Sequence, residues 1–307
     1  MSIVALITRL LEALLARQSP TPPPATPKPS YTLETRDGVI AIQQKLSELG
    51  YLDPPADGGW GPTSEWAMSA LAVHEGMTWL ANEPVTSDFA VMLNLAKPLP
   101  LAPGNDLAGL IIRAMLDKRY WIARHPDCVN IVYVEGMGPD GARNDNKPNQ
   151  FNDIRCTVKI DKNGVPRLTG IWEATTEPGV YWTEHRMNPG GAFHIKPGQY
   201  KAWARGYHHQ HEALVQVGEI DGYRDNRNML LRDMQHPVRG SDFGVNQHGG
   251  YDLPKNDLAK SSAGCLVGRS TAGHREFMKL VKSDARYVAN QNYRFMTAVL
   301  ETPDVAA

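Results

Sequence analysis

Cysteine is scarce in this chain. Of 307 residues only Cys128, Cys156 and Cys265 are cysteines, an odd and sparse set that excludes a disulfide-stapled framework. Long apolar runs are missing too: none approaches the roughly eighteen residues that a membrane-crossing helix needs. Neither sign of charge dominates, because 32 Lys and Arg against 33 Asp and Glu leave a formal net charge of −1. Without a basic field there is no sign of nucleic acid as a partner. The N-terminus lacks the marks of a secretory signal, since no positive charge precedes Arg9, and Arg9 and Glu12 interrupt the apolar stretch.

What is present reads as a globular, multidomain α+β chain long enough for two domains. Residues 1–18 place Ile3, Ile7, Leu10, Leu11, Leu14 and Leu15 at helical spacing. They predict an amphipathic helix suited to a membrane surface, a protein partner, self-association or weak docking on the rest of the chain. Residues 19–30 carry six prolines and form an extended spacer. Residues 31–97 predict a small helical domain. Its first helix carries Val39, Ile42, Leu46 and Leu49 and is stopped by Gly50; its second is capped by Thr63, with Trp66, Ala70 and Leu71 on one face; its third is capped by Ser87 and carries Phe89, Met92 and Leu95. Residues 98–105 read as a second, proline-containing linker, and residues 106–301 as a mainly-β domain with flanking helices, opened by a helix capped at Asn105 or Asp106. Val129–Val134 predicts a buried strand, and alternation from Cys156 to Ile160, the turn Asp161–Gly164 and a return from Leu168 to Ala174 predict a hairpin. Cys128 and Cys156 fall in strand-like stretches, bridged or buried, with burial favoured. Residues 221–239 read as a solvated loop or lid, with a faint calcium-loop pattern at Asp225–Asn228, and 301–307 as a frayed tail.

The chemistry concentrates between His248 and Arg269. His248-Gly249-Gly250 is followed by a polar run beginning at Tyr251, and then by Ser262-Ala263-Gly264-Cys265-Leu266-Val267-Gly268-Arg269. A thiol acts as a nucleophile only as thiolate, which requires a base, and histidine is the side chain matched to that task near neutral pH. Ser262 and Gly264 beside Cys265 suit a tight turn that presents the sulfur. The plain alternative is a buried cysteine in a core strand. The ordered set His-Gly…Ser-x-Gly-Cys…Arg resembles the motif of the L,D-transpeptidase family of cell-wall enzymes, although Arg269 follows the cysteine by four positions where that family has two. Ala174–Gly179, followed by Asn188–Ile195, resembles the same family's strand–turn–strand segment. Ile42–Leu46, Leu49–Leu52 and Asp57-Gly58-Gly59-Trp60-Gly61-Pro62-Thr63 resemble the helical peptidoglycan-binding domain of many wall enzymes.

These resemblances imply a Cys/His acyl-transfer enzyme acting on the stem peptides of peptidoglycan, without a cofactor. Cys265 is implied as nucleophile, His248 as base, and the amides around Gly264 as oxyanion donors, with Ser262 shaping the turn. Arg269, Gly249 and Tyr251 are implied as substrate contacts, Arg269 for a carboxylate. An amine acceptor gives a cross-link and water gives hydrolysis. The site of action would be the cell envelope or periplasm; the lack of a clear signal leaves phage-lysis or injected delivery open and shifts the balance modestly towards hydrolysis. Two other readings are open. One is a zinc amidase or peptidase using His248, Cys265 and one of His208, His209 or His211; the commoner outcome for that histidine run is a polar loop and no metal. The other is a wall-binding protein without catalysis.

Overall fold

The computed structural model describes residues 31–81, 83–225 and 230–305. The expected N-terminal amphipathic helix and proline spacer lie outside them, as do Asn226 to Asn228 of the faint calcium pattern.

Three helices come first, α1 (Arg36–Leu49), α2 (Pro62–His74) and α3 (Ser87–Leu95). The apolar stripe of α1 buries Val39, Ile42, Leu46 and Leu49, and Gly50 ends the helix at φ 91°, where its N–H reaches back to the carbonyls of Leu46 and Ser47. The second helix starts two residues earlier than expected: Gly61, not Thr63, is its N-cap, and Pro62 occupies the first turn, where its missing N–H costs nothing. The third is capped by Thr86, whose hydroxyl accepts from Phe89 N, and not by Ser87. Leu95, expected inside, is exposed, while Phe89, Met92 and Leu93 are buried. Buried Gln43 on α1 organises the following loop. Its amide donates to Asp57 Oδ1 and Gly59 O (both 2.9 Å) and its carbonyl accepts from Asp57 N and Gly58 N.

Residues 98–105 do not hang free. Leu99 N donates to Leu49 O, Ala102 N donates to Gly164 O, and Leu99 is buried. Helix α4 (Leu107–Asp117) follows, capped by Asp106. Then come β1 (Asn130–Glu135), β2 (Asp153–Ile160), β3 (Pro166–Thr175), a short α5 (Val180–Glu184), β4 (Phe193–Ile195), β5 (Gly198–His208), β6 (His211–Gln216), β7 (Ile220–Arg224), β8 (Val238–Gly240), β9 (Gln247–Gly249), β10 (Leu266–Gly268), α6 (Thr271–Lys282), α7 (Ala285–Ala289), β11 (Phe295–Glu301) and α8 (Thr302–Val305). The expected hairpin is β2–β3, turning at Asp161–Gly164. Eight strands close a barrel in the order β1-β11-β5-β6-β9-β10-β3-β2, and β4, β7 and β8 form a separate three-stranded sheet. The chain is thus mixed α and β.

Several sequence expectations are corrected. Residues 221–239 contain β7 and β8, because Ile220, Gly222 and Tyr223 are buried and pair with β4 and β8. His208–His211 ends a β-hairpin instead of forming a loop. Cys128 is buried and free but precedes β1, whereas Cys156 is buried and free within β2. The tail is not frayed through residue 305, since Thr302 and Val305 of α8 are buried.

The barrel interior packs Ile131, Tyr133, Trp203, Leu214, Leu266 and Val299 with Phe277, Met278 and Val281 of α6. A second cluster joins α4 to the other face of β1, β2 and β11 through Ile111, Met115, Val132, Val134, Ile154 and Leu300. The helical cluster keeps its own core. It is tied to the barrel side by buried Asp53, which accepts from Tyr293 Oη (2.9 Å) and pairs with Lys201 (2.7 Å) and Arg286 (3.4 Å). A groove of about 690 Å³ lies along this junction, between Gln43, Asp57 and Ser64 on one side and Lys201, Arg239 and Asn292 on the other; Cys265 does not line it.

Candidate active site

Strands β9 and β10 are neighbours and parallel, with Gln247 opposite Leu266, His248 opposite Val267 and Gly249 opposite Gly268. Side chains alternate along a strand, so Gln247 and Leu266 face the barrel core while His248 and Val267 face outward. Extending the alternation back from Val267 by two places Cys265 on the face of His248. Sixteen intervening residues, 250–265, return the chain to the neighbouring strand. Their apolar members cover that face, where Leu253, Leu258, Val267 and Cys265 pack with Phe151.

The turn before the sulfur is specific. Gly264 has φ 123°, in the region that side-chain-bearing residues avoid, and a Cβ there would sit 2.4 Å from the carbonyl oxygen of Phe193. Ser262 is buried; its Oγ donates to Cys265 O (2.9 Å) and accepts from Gly264 N (3.2 Å). The loop is clamped from outside by Gly179 N donating to Ser262 O and Phe193 N donating to Ala263 O. Cys265 is half-buried, and its Sγ lies 3.5 Å from both Asn246 N, which donates to it, and Gly244 O.

Burial pushes the Cys265 thiol up to about 11, and the Asn246 amide offsets this only in part. Burial, followed by the proximity of His208, lowers His248 to about 3. The resting pair is therefore thiol and neutral imidazole, not thiolate and imidazolium. His248 is 2% exposed; its Nδ1 donates to Gly249 O (2.9 Å), and its Nε2 has no partner. With the proton fixed on Nδ1, Nε2 is the lone-pair nitrogen that can take a proton. Alkylation of Cys265 by iodoacetamide in the free protein is expected to be about a hundredfold slower at pH 7 than that of an unperturbed thiol, and to keep rising beyond pH 9. Mass spectrometry of the Cys265 peptide against pH checks this; a plateau below pH 8 would contradict the raised pKa.

The remaining residues singled out from sequence are distributed around this pair. Tyr251 is exposed, at φ 59°, with its ring 6.4 Å from that of His248. Gly249 and Tyr251 line a cavity of about 280 Å³ together with His248, His211, His274 and Arg275. Arg269 is already committed: its Nε donates to Glu173 Oε2 (2.5 Å) and its Nη1 to Leu253 O (3.2 Å). Its guanidinium braces the covering loop against β3. Of the histidine run, His208 stacks on His248 with centroids 4.3 Å apart, whereas His211 faces Tyr251. Among the described residues no group of three or more His, Cys, Asp or Glu side chains is arranged to hold a metal ion.

Two features escaped the sequence reading. One is Asn246, whose backbone serves Cys265 and whose side chain serves His208; its place two residues before His248, across the strand pair from Cys265, was the available signal. The other is a buried charged network behind the Cys265 loop. Glu177 bonds His194 Nδ1 and Arg232, Arg232 Nη2 also reaches Glu135 (2.6 Å), and Thr176 Oγ1 bridges Glu135 and Asp153. Burial works against a charged His194, but Asp225 and Glu177 outweigh it and raise its pKa.

No family model matches the chain, and no curated protein matches it. One solved structure aligns with it, the crystal structure of a fused Zn-dependent amidase/peptidase/peptidoglycan-binding domain-containing protein from Clostridium acetobutylicum ATCC 824. The alignment covers 85% of this chain and 94% of that one, at 13% identity and a TM-score of 0.29. A score this low establishes no common fold.

Proposed function

We propose that this protein is a peptidoglycan-acting cysteine acyltransferase or peptidase, similar in chemistry to the L,D-transpeptidases, with Cys265 as nucleophile and His248 as general base. The observation that supports the reading is the parallel pairing of β9 with β10, with a buried imidazole that keeps a free lone pair on one strand and the half-buried thiol of Cys265 just before the other. The motif resemblance supplies the substrate class, and the helical cluster with its Asp57–Thr63 loop is assigned to wall binding on the same ground.

In this mechanism the Cys265 proton moves to His248 Nε2 as the sulfur adds to a stem-peptide carbonyl. The carbon–nitrogen bond then breaks, the leaving amine takes the proton from His248, and a thioester remains on Cys265. An incoming amine or water, deprotonated by His248, releases the acyl group. Since Gly264 N is occupied by Ser262 Oγ, the amide of Cys265 itself is the oxyanion donor we assign. No hydrogen bond joins Cys265 to His248 in the free protein, so bound substrate completes the line; catalytic hydrogen bonds often tighten only in the substrate complex. Arg269 is assigned a bracing role in place of carboxylate recognition.

The test is intact and peptide mass spectrometry after incubation with purified peptidoglycan, with chromatography of the released muropeptides. An acyl adduct on the Cys265 peptide, together with new cross-linked or shortened stems, is the expected result. Changed muropeptides that persist after complete alkylation of Cys265 would overturn the cysteine mechanism. Unchanged muropeptides with no adduct would overturn the wall-enzyme reading.

A further inference from the structure

The thiol site contains a second imidazole, and its surroundings fix both its place and its proton. The hairpin of β5 and β6 closes through His209 and Gln210, both at positive φ (44° and 67°), as a two-residue turn matched to strand twist requires. That turn makes His208 and His211 the last facing pair of the hairpin and sets the His208 ring on His248, 4.3 Å away and inclined by 23°. Asn246 defines the tautomer. Its Oδ1 accepts from Gln216 N (3.0 Å), so its other end is the NH₂ group, and this lies 3.0 Å from His208 Nδ1. Nδ1 is therefore an acceptor, and the neutral His208 ring carries its hydrogen on Nε2. The same Asn246 donates its backbone N–H to Cys265 Sγ. One residue thus anchors the nucleophile on one side and the ring that covers the base on the other.

We propose that His208 is a positioning residue of this site: stacked on His248 and locked by Asn246, it holds the His248 ring and keeps it in the neutral, proton-accepting form. The inference rests on the reading of Cys265 and His248 given above. The charges around the two rings favour it. His248 is faced by His208 from β5, His274 from α6, Arg155 from β2 and Tyr251 from the covering loop; His208 is faced by His209 and His211 of its own hairpin. The carboxylate that shares the His248 cavity, Glu212 of β6, is paired with Arg205 and Lys282. A proton on His208 Nδ1 would also turn a donor against the Asn246 NH₂ group. Covering by His208 excludes water from His248, which further penalises the imidazolium.

The experiment follows the His248 ring by NMR titration of histidine-labelled protein, alongside pH profiles of kcat/KM. The wild-type His248 is expected to titrate near pH 3. In His208→Ala the titration is expected to move up by at least about one pH unit, and the acid limb of kcat/KM with it, lowering kcat/KM about fivefold at pH 3 while leaving it nearly unchanged at pH 6. His208→Phe, which keeps the stack and the covering, is expected to restore the wild-type titration. Should His208→Ala fail to fold, His208→Gln, without a ring, gives the same contrast with His208→Phe. An unmoved His248 titration in the ring-less variant overturns the inference, as does a ring-less variant and His208→Phe titrating alike. The NMR readout needs no turnover, so failure of the inference is separable from failure of the catalytic reading, which shows instead as full activity in a Cys265→Ala background.

Discussion

Turnover of peptidoglycan by Cys265→Ala is expected to fall by at least about 10⁴-fold, with the fold retained. The side chain is half-buried, and among the described residues its Sγ bonds Asn246 N and Gly244 O at 3.5 Å, so its removal leaves one amide without a weak acceptor. The cost in stability should be about 1 kcal/mol, a small cavity at the edge of the Phe151–Leu258 cluster. Cys265→Ser is expected to fare little better, because an imidazole as weakly basic as His248 is poorly matched to a hydroxyl. His248→Ala should lose a similar factor, and the double variant scarcely more than either single one, because residues acting as a unit lose their effect together. Measured rates on a defined stem peptide, with melting curves for each variant, check this. A Cys265→Ala protein within tenfold of wild type would move the nucleophile elsewhere.

The parts of this molecule legible in its sequence are those set by local physics. The apolar spacing from Val39 to Leu49 and the stop at Gly50 gave α1, and the turn at Asp161–Gly164 gave the β2–β3 hairpin. Where two local signals compete, the reading slipped by a residue or two: Gly61-Pro62 outranked Thr63 as a helix start, and Thr86 outranked Ser87. Leu95 fitted the helical period but sits in the last turn of α3, where the core no longer reaches it. The histidine run was misjudged as a loop because two residues at positive φ without glycine give no turn signal. Of the candidate site, the motif order brought the segments of His248 and Cys265 together, and β9 and β10 are indeed paired. The rest depends on pairs far apart in the chain. Arg269 reaches Glu173 at 96 positions, Arg232 reaches Glu135 at 97, and His208 reaches Asn246 at 38; only the folded chain brings them together.

The network at Arg232 yields the second large effect, on stability. Arg232 is the cationic partner of Glu135, which is 3% exposed, and it also bonds Glu177. Above about pH 8, where Glu135 is ionised, Arg232→Ala leaves a buried carboxylate uncompensated, which typically costs about 3–5 kcal/mol, or a melting point lower by about 10 °C for a domain of this size. The loss should depend on pH in a definite direction. Burial, only partly relieved by Arg232, pushes Glu135 up to about 8 from an ordinary 4.5. Its contribution to stability is thus fully present below 4.5 and is lost as pH rises through 8. Glu177 behaves oppositely. Burial tends to raise it, but His194 and Arg232 outweigh that and hold it below its ordinary value, so its contribution is present above 4.5 and fades as it protonates. Between pH 5 and pH 8.5 Glu177 stays ionised while Glu135 passes from protonated to ionised, so the missing guanidinium matters less at the lower pH; the penalty of Arg232→Ala should therefore be smaller at pH 5 than at pH 8.5. Urea unfolding at the two pH values measures it. Adding Glu135→Gln removes the carboxylate that Arg232 neutralises, and the double variant should recover part of the loss at pH 8.5, a coupling that a double-mutant cycle reads directly. Equal penalties at both pH values would mean that Arg232 acts there through packing and not through its charge. Because Gly179 and Phe193, which flank Glu177 and His194, clamp the carbonyls of Ser262 and Ala263, loosening this network is also expected to loosen the turn that presents Cys265.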